Sequence, residues 1–477
     1  MFESGDFEAG KEEHVDPREL EILMRMSRRD FLRRGVGVGV GVMGLGALPA
    51  LLAACGQSAT SVPSGGGAAA SVASGGGGSA VTTLNVLSCA APDPAPPGVA
   101  KFSDAVVGEF TKWQTDNSAK VVYDAPPSQS IYTLEQTAFA SGNPPWDLAY
   151  QCGSVPEFVD SLVPLDDIFP ADLKADLPKS SFNTTTWDGK FYGVVFTLSL
   201  LTLFYNTEHL AAAGITQPPQ TWDDLKTYAK ELTKPGQYGW VSNYGSPEGI
   251  GGTASYWMAY LQQAGGTMYG ADGMPVFNDT PGVDALQLMI DLMPSSDPGS
   301  LSYVGINDAT NVFTAGKASM MPNWPFTWVP AQDPTTSKIV GKLGDAMLPA
   351  GPAGTASIDG TDTWTIMKAS KNPDLAMKLI EFYLSPDVQK SQAIDTGWLP
   401  IRLSLLNDPT VQAKAANAKT VLAQAQHPYN SFVVPAYNQI TESLGNEIVL
   451  ALQGTKTAAQ ALKDASDECT AILKQST

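Results

Sequence analysis

The sequence predicts an α/β protein of two lobes, each a mainly parallel sheet flanked by helices. Short β-rich runs alternate with segments of helical periodicity from Val81 onward, which is the grammar of βαβ units. One long extended apolar run, residues 191–204, suits a crossover from one lobe to the other. Residues 81–477 are numerous enough for two domains and ordinary in apolar content, so a sizeable core is expected.

In chain order, residues 81–87 form a β-rich run, and residues 99–115 place Val106, Phe110 and Trp113 at helical spacing. Residues 120–123 return to strand, 131–141 to helix and 147–150 to strand. Trp187-Asp188-Gly189-Lys190 is a tight turn between aromatic segments. Thr221 caps a helix ending near Leu232, and Asp224 stands where it completes a capping box. Residues 255–264, 280–293 and 309–315 read as helices, the last leading into a strand at 318–321. Residues 357–367 run extended again, and 373–384 form an amphipathic helix with Pro at its start. Residues 413–424, 436–452 and 457–473 close the chain as helices.

The N-terminal region carries an address. Ser27-Arg28-Arg29-Asp30-Phe31-Leu32-Arg33, followed by a weakly apolar, Gly-rich segment, reads as a twin-arginine export signal. Its end, Leu52-Ala53-Ala54-Cys55, resembles a bacterial lipobox, which makes Cys55 the acylated first mature residue and the point of membrane attachment. The repeated glycines between Gly35 and Gly46 make a poor spanning helix. Residues 1–25 are acidic, so either the signal has a long prefix or translation starts at Met24 or Met26. Residues 1–54 are thus assigned as signal with an acidic extension. Residues 55–80, the lipidated Cys and a Gly, Ser and Ala-rich stretch, form a flexible tether.

Charge and ligand-type inventories narrow the function. The formal net charge is -19, and beyond Cys55 the one arginine is Arg402. Nucleic acid and anionic lipid head groups need clustered Lys and Arg, so neither is an expected partner. Anionic small ligands are disfavoured for want of a bidentate clamp, and a neutral ligand fits best. The histidines are His14, His209 and His427, with no CxxC, so no metal site and no cofactor is expected. Cys89 and Cys152 each follow a strand and are candidates for a disulfide in an oxidising compartment; Cys469 is left as a small apolar residue of the last helix.

Several motifs carry a resemblance. Phe204-Tyr205-Asn206-Thr207-Glu208-His209-Leu210, Ala213-Gly214-Ile215, Pro218-Pro219 and Thr221-Trp222-Asp223-Asp224-Leu225 stand in order. With them come Pro145-Trp146-Asp147-Leu148, Asp188-Gly189-Lys190-Phe191-Tyr192-Gly193, Phe313-Thr314-Ala315-Gly316-Lys317-Ala318, Leu348-Pro349-Ala350-Gly351-Pro352 and Gly397-Trp398-Leu399-Pro400. The ordered set resembles the extracellular solute-binding proteins of carbohydrate-type ATP-binding-cassette (ABC) importers, the maltose-binding-protein-like family. That resemblance implies a type II periplasmic-binding-protein fold with ligand held in a cleft at the hinge, closure around it signalling to permease transmembrane subunits. On this chain it implies residues 81–196 plus 365–404 as lobe 1 and 197–364 plus 405–477 as lobe 2. It further implies a monomer, outside the cytoplasm, with no catalysis.

Ligands of open α/β sheets sit beyond the carboxyl ends of strands, where loops of two lobes converge. That rule nominates Asp93, Gln151, Ser154, Ser199, Tyr244, Ser246, Asn323, Trp324, Asp362, Trp364 and Trp398, with Trp257 divided between core and cleft. A sugar presents apolar C–H faces and a hydroxyl rim, so aromatic planes and Asp, Asn or Gln suit it. Trp324 resembles the family's stacking aromatic, although Asn323 precedes it where Gly is common. Two other readings remain: a polyamine or glycerol-phosphate receptor of the same fold, and a glycoside-active enzyme using Asp93, Asp362 or Glu248. Three or more carboxylates in the cleft would favour a polycation, one or two a sugar.

Overall fold

The computed structural model describes residues 81–88, 90–91, 100–101, 103–126, 128–152, 155–182, 184–245, 252–305, 307–360, 362–428, 434 and 436–476. The signal, Cys55, the tether and Cys89 lie outside them, as does the side chain of Cys152.

Alternation builds the first sheet. Strand β1 (Thr82–Leu87) leads to helix α1 (Asp104–Asp116), which returns the chain to β2 (Ala119–Asp124); α2 (Ser128–Ala140) then carries it to β3 (Leu148–Cys152). β1 is parallel to both β2 and β3. Ser103 starts α1 by accepting the Val106 amide, an N-cap that satisfies one orphan donor. Asp147 sits just before β3 as an acceptor: Oδ2 takes the Asn85 amide at 2.8 Å and Oδ1 takes the Ser370 hydroxyl at 2.6 Å. The predicted turn at Asp188-Gly189 joins two-residue strands Thr186–Trp187 and Lys190–Phe191, both turn residues having positive φ.

The apolar run then splits into β4 (Gly193–Val195) and β5 (Thr202–Asn206), one in each sheet. The second sheet grows through α3 (Trp222–Leu232), β6 (Tyr238–Trp240), α4 (Thr253–Gln263), α5 (Thr280–Leu292), α6 (Asp308–Thr314), β7 (Ala318–Asn323) and β8 (Leu343–Ala346). The capping box of α3 is as read: the Asp224 amide donates to Thr221 Oγ1 and the Thr221 amide to Asp224 Oδ2. The chain returns to the first sheet as β9 (Asp362–Ile366) and continues through α7 (Pro373–Tyr383) and α8 (Pro386–Thr396). Helices α9 (Ala418–Gln424), α10 (Tyr437–Leu452) and α11 (Ala458–Ser476) complete it.

Strand order is β2-β1-β3-β9-β4 in the five-stranded sheet and β6-β7-β5-β8 in the four-stranded one. Both are mixed rather than mainly parallel. β9 runs antiparallel to β3 and β4, and β5 runs antiparallel to β7 and β8. The reason is the connection: β5 and β9 arrive from the other sheet instead of over a helix crossover, so nothing forces them parallel.

Each sheet has its own core. Leu84, Val86, Leu148, Trp364, Ile366 and Ile380 pack in the first, and Leu203, Tyr256, Trp257, Leu286, Ile440 and Leu462 in the second. Along the second sheet successive residues serve opposite faces: Leu203 and Met320 enter that core, Phe204 and Met321 a smaller one beneath α6. α4 is buried on nearly every side, as a helix apolar all round must be. α10 and α11 pack on the second core, and Cys469 lies there fully buried. Two boundaries differ from the sequence reading. β9 joins the first sheet from Asp362, so Trp364 belongs to lobe 1. Leu406, Ala415, Ala418 and Val421 also pack in the first core, so the stretch after 404 does not pass straight into lobe 2.

Candidate functional site

Where the chain passes between the two sheets, its crossings lie side by side. Residues 196–201 form the first and 357–360 the second: the Leu201 amide donates to Ile358 O and the Gly360 amide to Ser199 O. The third passes at Pro428, whose carbonyl accepts the Ser357 amide. Ser357 is fully buried at this junction, and its hydroxyl donates to Leu201 O at 2.8 Å. One residue therefore touches all three crossings.

Beside the first crossing lies a cavity of about 30 Å³, lined by Thr197, Leu198, Ser199, Pro325, Phe326, Gly397, Trp398 and Leu399. Its walls come from different lobes. Pro325 and Phe326 follow β7 of the second sheet, whereas Gly397, Trp398 and Leu399 follow α8, which packs on the first core. The Thr197 hydroxyl and the Leu198 amide both donate to Leu399 O, fixing the crossing against the lobe-1 wall. Trp398 is half-buried with its ring centroid 5.9 Å from that of Phe196. Gly397 ends α8 at φ 79°, and a Cβ there would press on Val329 Cγ2 at 3.1 Å and Phe326 O at 3.3 Å. The two walls thus touch directly through a residue without a side chain.

Of the nominated residues, Ser199 and Trp398 meet at this cavity. Five others are core residues. Trp324 is 3% exposed and packs against Tyr256 at 5.8 Å between ring centroids. Its Nε1 lies over Gly360, where an added Cβ would come within 2.3 Å. Trp257 donates its indole N–H to Gly282 O and meets Phe277 edge-on. Trp364 stacks on Tyr383 at 5.4 Å in the first core. Tyr244 accepts from Trp240 Nε1 at 3.1 Å, and burial pushes its hydroxyl up to about 12. Asn323 is buried, donating to Thr310 Oγ1 and accepting the Trp324 amide through Oδ1. Gln151 and Asp362 are placed only by strand register, Gln151 of β3 opposite Thr363 and Asp362 of β9 opposite Cys152. Asp93, Ser154 and Ser246 lie outside the described residues, as do the side chains of Gln151 and Asp362.

Phe326 was not nominated, and its position explains why. Trp324 is extended, with ψ 162°, and Pro325 opens a short 3-10 turn, so the chain swings round between the two aromatics. Trp324 stays with the core and Phe326 comes to the cavity wall. The signal available was Trp-Pro-Phe itself: two aromatics flanking a turn-former cannot both continue a strand's alternation.

Charge is absent from this wall, since none of the eight lining residues is ionisable. Arg402, the single arginine of the body, is committed elsewhere: Nε donates to Leu384 O at 2.6 Å and Nη1 to Asp176 Oδ2 at 2.8 Å. Ser404 completes that clamp by donating its amide and hydroxyl to Asp176.

A family model for the bacterial extracellular solute-binding proteins matches residues 95–390. The chain belongs to that family. A probable ABC transporter-binding protein of Deinococcus radiodurans is 28% identical to this solute-binding protein over 304 residues, 61% of this chain and 71% of its own. An arabinooligosaccharide-binding protein of Halalkalibacterium halodurans is 24% identical over 408 residues, covering 78% of this chain and 87% of its own. Among solved structures, maltose-bound T. maritima MalE3 matches with a TM-score of 0.73 at 25% identity, covering 82% of this chain and 100% of that one. A ribitol complex of an Agrobacterium radiobacter solute-binding protein shares the fold, with a TM-score of 0.71 at 23% identity over 82% of this chain and 99% of that one.

Proposed function

We propose that this solute-binding protein is the receptor of an ABC importer, binding a neutral mono- or oligosaccharide between its lobes and delivering it to the permease without chemical change. The observation that carries this reading is the cavity at the first crossing, which an aromatic residue from each lobe, Phe326 and Trp398, lines together with Ser199 and no ionisable residue. Such a wall suits a ligand with apolar C–H faces and a hydroxyl rim, and offers nothing to an ion. Relatives with arabinooligosaccharide and maltose in their names agree with it. The uncharged walls argue against a polyamine, and the commitment of Arg402 to Asp176 argues against a glycerol phosphate. Ser199 and Trp398 keep their nominated roles as contacts, Phe326 joins them, and Trp324 acts from behind by fixing the wall. Attachment through acylated Cys55, after export by the twin-arginine route, holds the monomeric receptor at the membrane by its tether.

A thermal-shift screen tests the ligand. Mono- and oligosaccharides, polyols, polyamines and glycerol phosphates are each added to the protein, because a ligand that binds only the native state raises its melting temperature. A rise with one sugar class supports the reading and names the substrate. A rise with polyamines or glycerol phosphates alone overturns it.

A further inference from the structure

The stretch from Leu405 to Gln424 is tied to one lobe by its apolar side chains and to the other by its amides. Leu406, Ala415, Ala418 and Val421 pack in the first core. Asp408 fastens the same stretch to α8 through Lys390 Nζ at 2.9 Å. Its buried amides reach across. Asn417 Nδ2 donates to Pro325 O at 2.9 Å, and Gln424 Oε1 accepts the Leu348 amide at 2.9 Å while its Nε2 reaches Thr355 Oγ1 at 3.4 Å.

Pro325 is itself a wall of the cavity, next to Phe326, so Asn417 holds the lobe-2 wall from a lobe-1 base. The cavity this leaves has room for a water molecule or two and not for a sugar ring. A solute therefore gains the site only when Pro325 and Phe326 separate from Gly397, Trp398 and Leu399. Asn417 is fully buried, and its side chain spends its Nδ2 donor on Pro325 O of the lobe-2 wall.

We propose that residues 405–424 are a latch: a strap built on lobe 1 whose amides, Asn417 above all, hold the lobe-2 wall shut and must let go before ligand is admitted. This rests on the reading of the cavity as the sugar site. Polar grips suit the task, because water replaces their hydrogen bonds when the lobes part, whereas an apolar seam would resist separation. Weakening the latch shifts the free protein towards the open state and removes part of the conformational barrier to binding.

The test compares the full chain with Asn417→Ala and, as an independent grip, Gln424→Leu. Small-angle X-ray scattering without ligand should give a larger radius of gyration for the variants than for wild type. Stopped-flow mixing with maltose as the probe should show association about threefold faster or more. Wild-type dimensions and wild-type association in both variants overturn the latch. If Asn417→Ala does not fold, Gln424→Leu alone decides by the same two readouts. A wild type that ignores maltose counts against that sugar alone, and scattering still decides whether the strap holds the lobes.

Discussion

Gly360 and Trp324 show how one missing side chain fixes a wall. The indole nitrogen occupies the space a Cβ would take, 2.3 Å away, and Trp324 cannot retreat because Tyr256 lies against it. Gly360→Ala is expected to destabilise the protein by about 1–3 kcal/mol, seen as a lower melting temperature. An unchanged melting curve would mean the crossing can shift freely. Trp398 predicts the converse. It is half-buried at the cavity, so Trp398→Ala should weaken sugar binding about tenfold with a smaller loss of stability than a core Trp would bring. Trp324→Ala should behave as that core substitution, at about 3–5 kcal/mol. The sequence reading favoured Trp324 over Trp398 as the stacking aromatic, and the structure places Trp398 at the cavity and Trp324 in the core. The turn at Pro325 keeps Trp324 in the core and leaves its neighbour Phe326 at the wall.

Among the elements, those with local punctuation were legible. Thr221 and Pro373 start helices where composition put them, and Asp188-Gly189 turns as its residues demand, whereas the helix read at 99–115 begins only at Asp104, capped by Ser103, after a two-residue strand at Ala100–Lys101. The predicted helix at 413–424 is broken, since residues 409–414 and 418–424 are separate helices. Helix α8 was not foreseen because its apolar residues follow no amphipathic stripe; tertiary contacts bury it instead. The short helix Pro409–Lys414 offers a pH test. Asp408 caps it by accepting the Thr410 and Val411 amides, and the hydrogen bond from Lys390 is the main cause holding its carboxyl down at about 2. A lowered folded pKa means that the native state favours the charged form. Its contribution is complete above the unfolded value near 4 and disappears as pH falls through about 2. Asp408→Asn should therefore melt below wild type at neutral pH, with the gap closing between about pH 4 and about pH 2. A gap independent of pH would show that the charge does not matter.

At the largest scale the described residues form two main cores and a smaller one beneath α6, joined by crossings that meet at Ser357, in a family of bacterial extracellular solute-binding proteins. The proposed attachment through Cys55 is tested at this level too. Cys55→Ser should abolish labelling by a radioactive fatty acid and release the protein to the medium, while labelling that persists would exclude Cys55 as the anchor. What the sequence determined by itself was the α/β class, most elements and the solute-binding family, because period, caps and motif order are local and survive without a partner in space. Its net charge of -19 also disfavoured nucleic acid, which needs clustered Lys and Arg to replace counterions. Only the tertiary structure decided the mixed strand directions, the lobe that claims residues 405–425, and which aromatics face the cavity. Those depend on where distant segments come together: Pro325 beneath Asn417, Trp324 over Gly360, Trp398 beside Phe196. Apolar pattern says that a side chain will be buried, and packing decides against what.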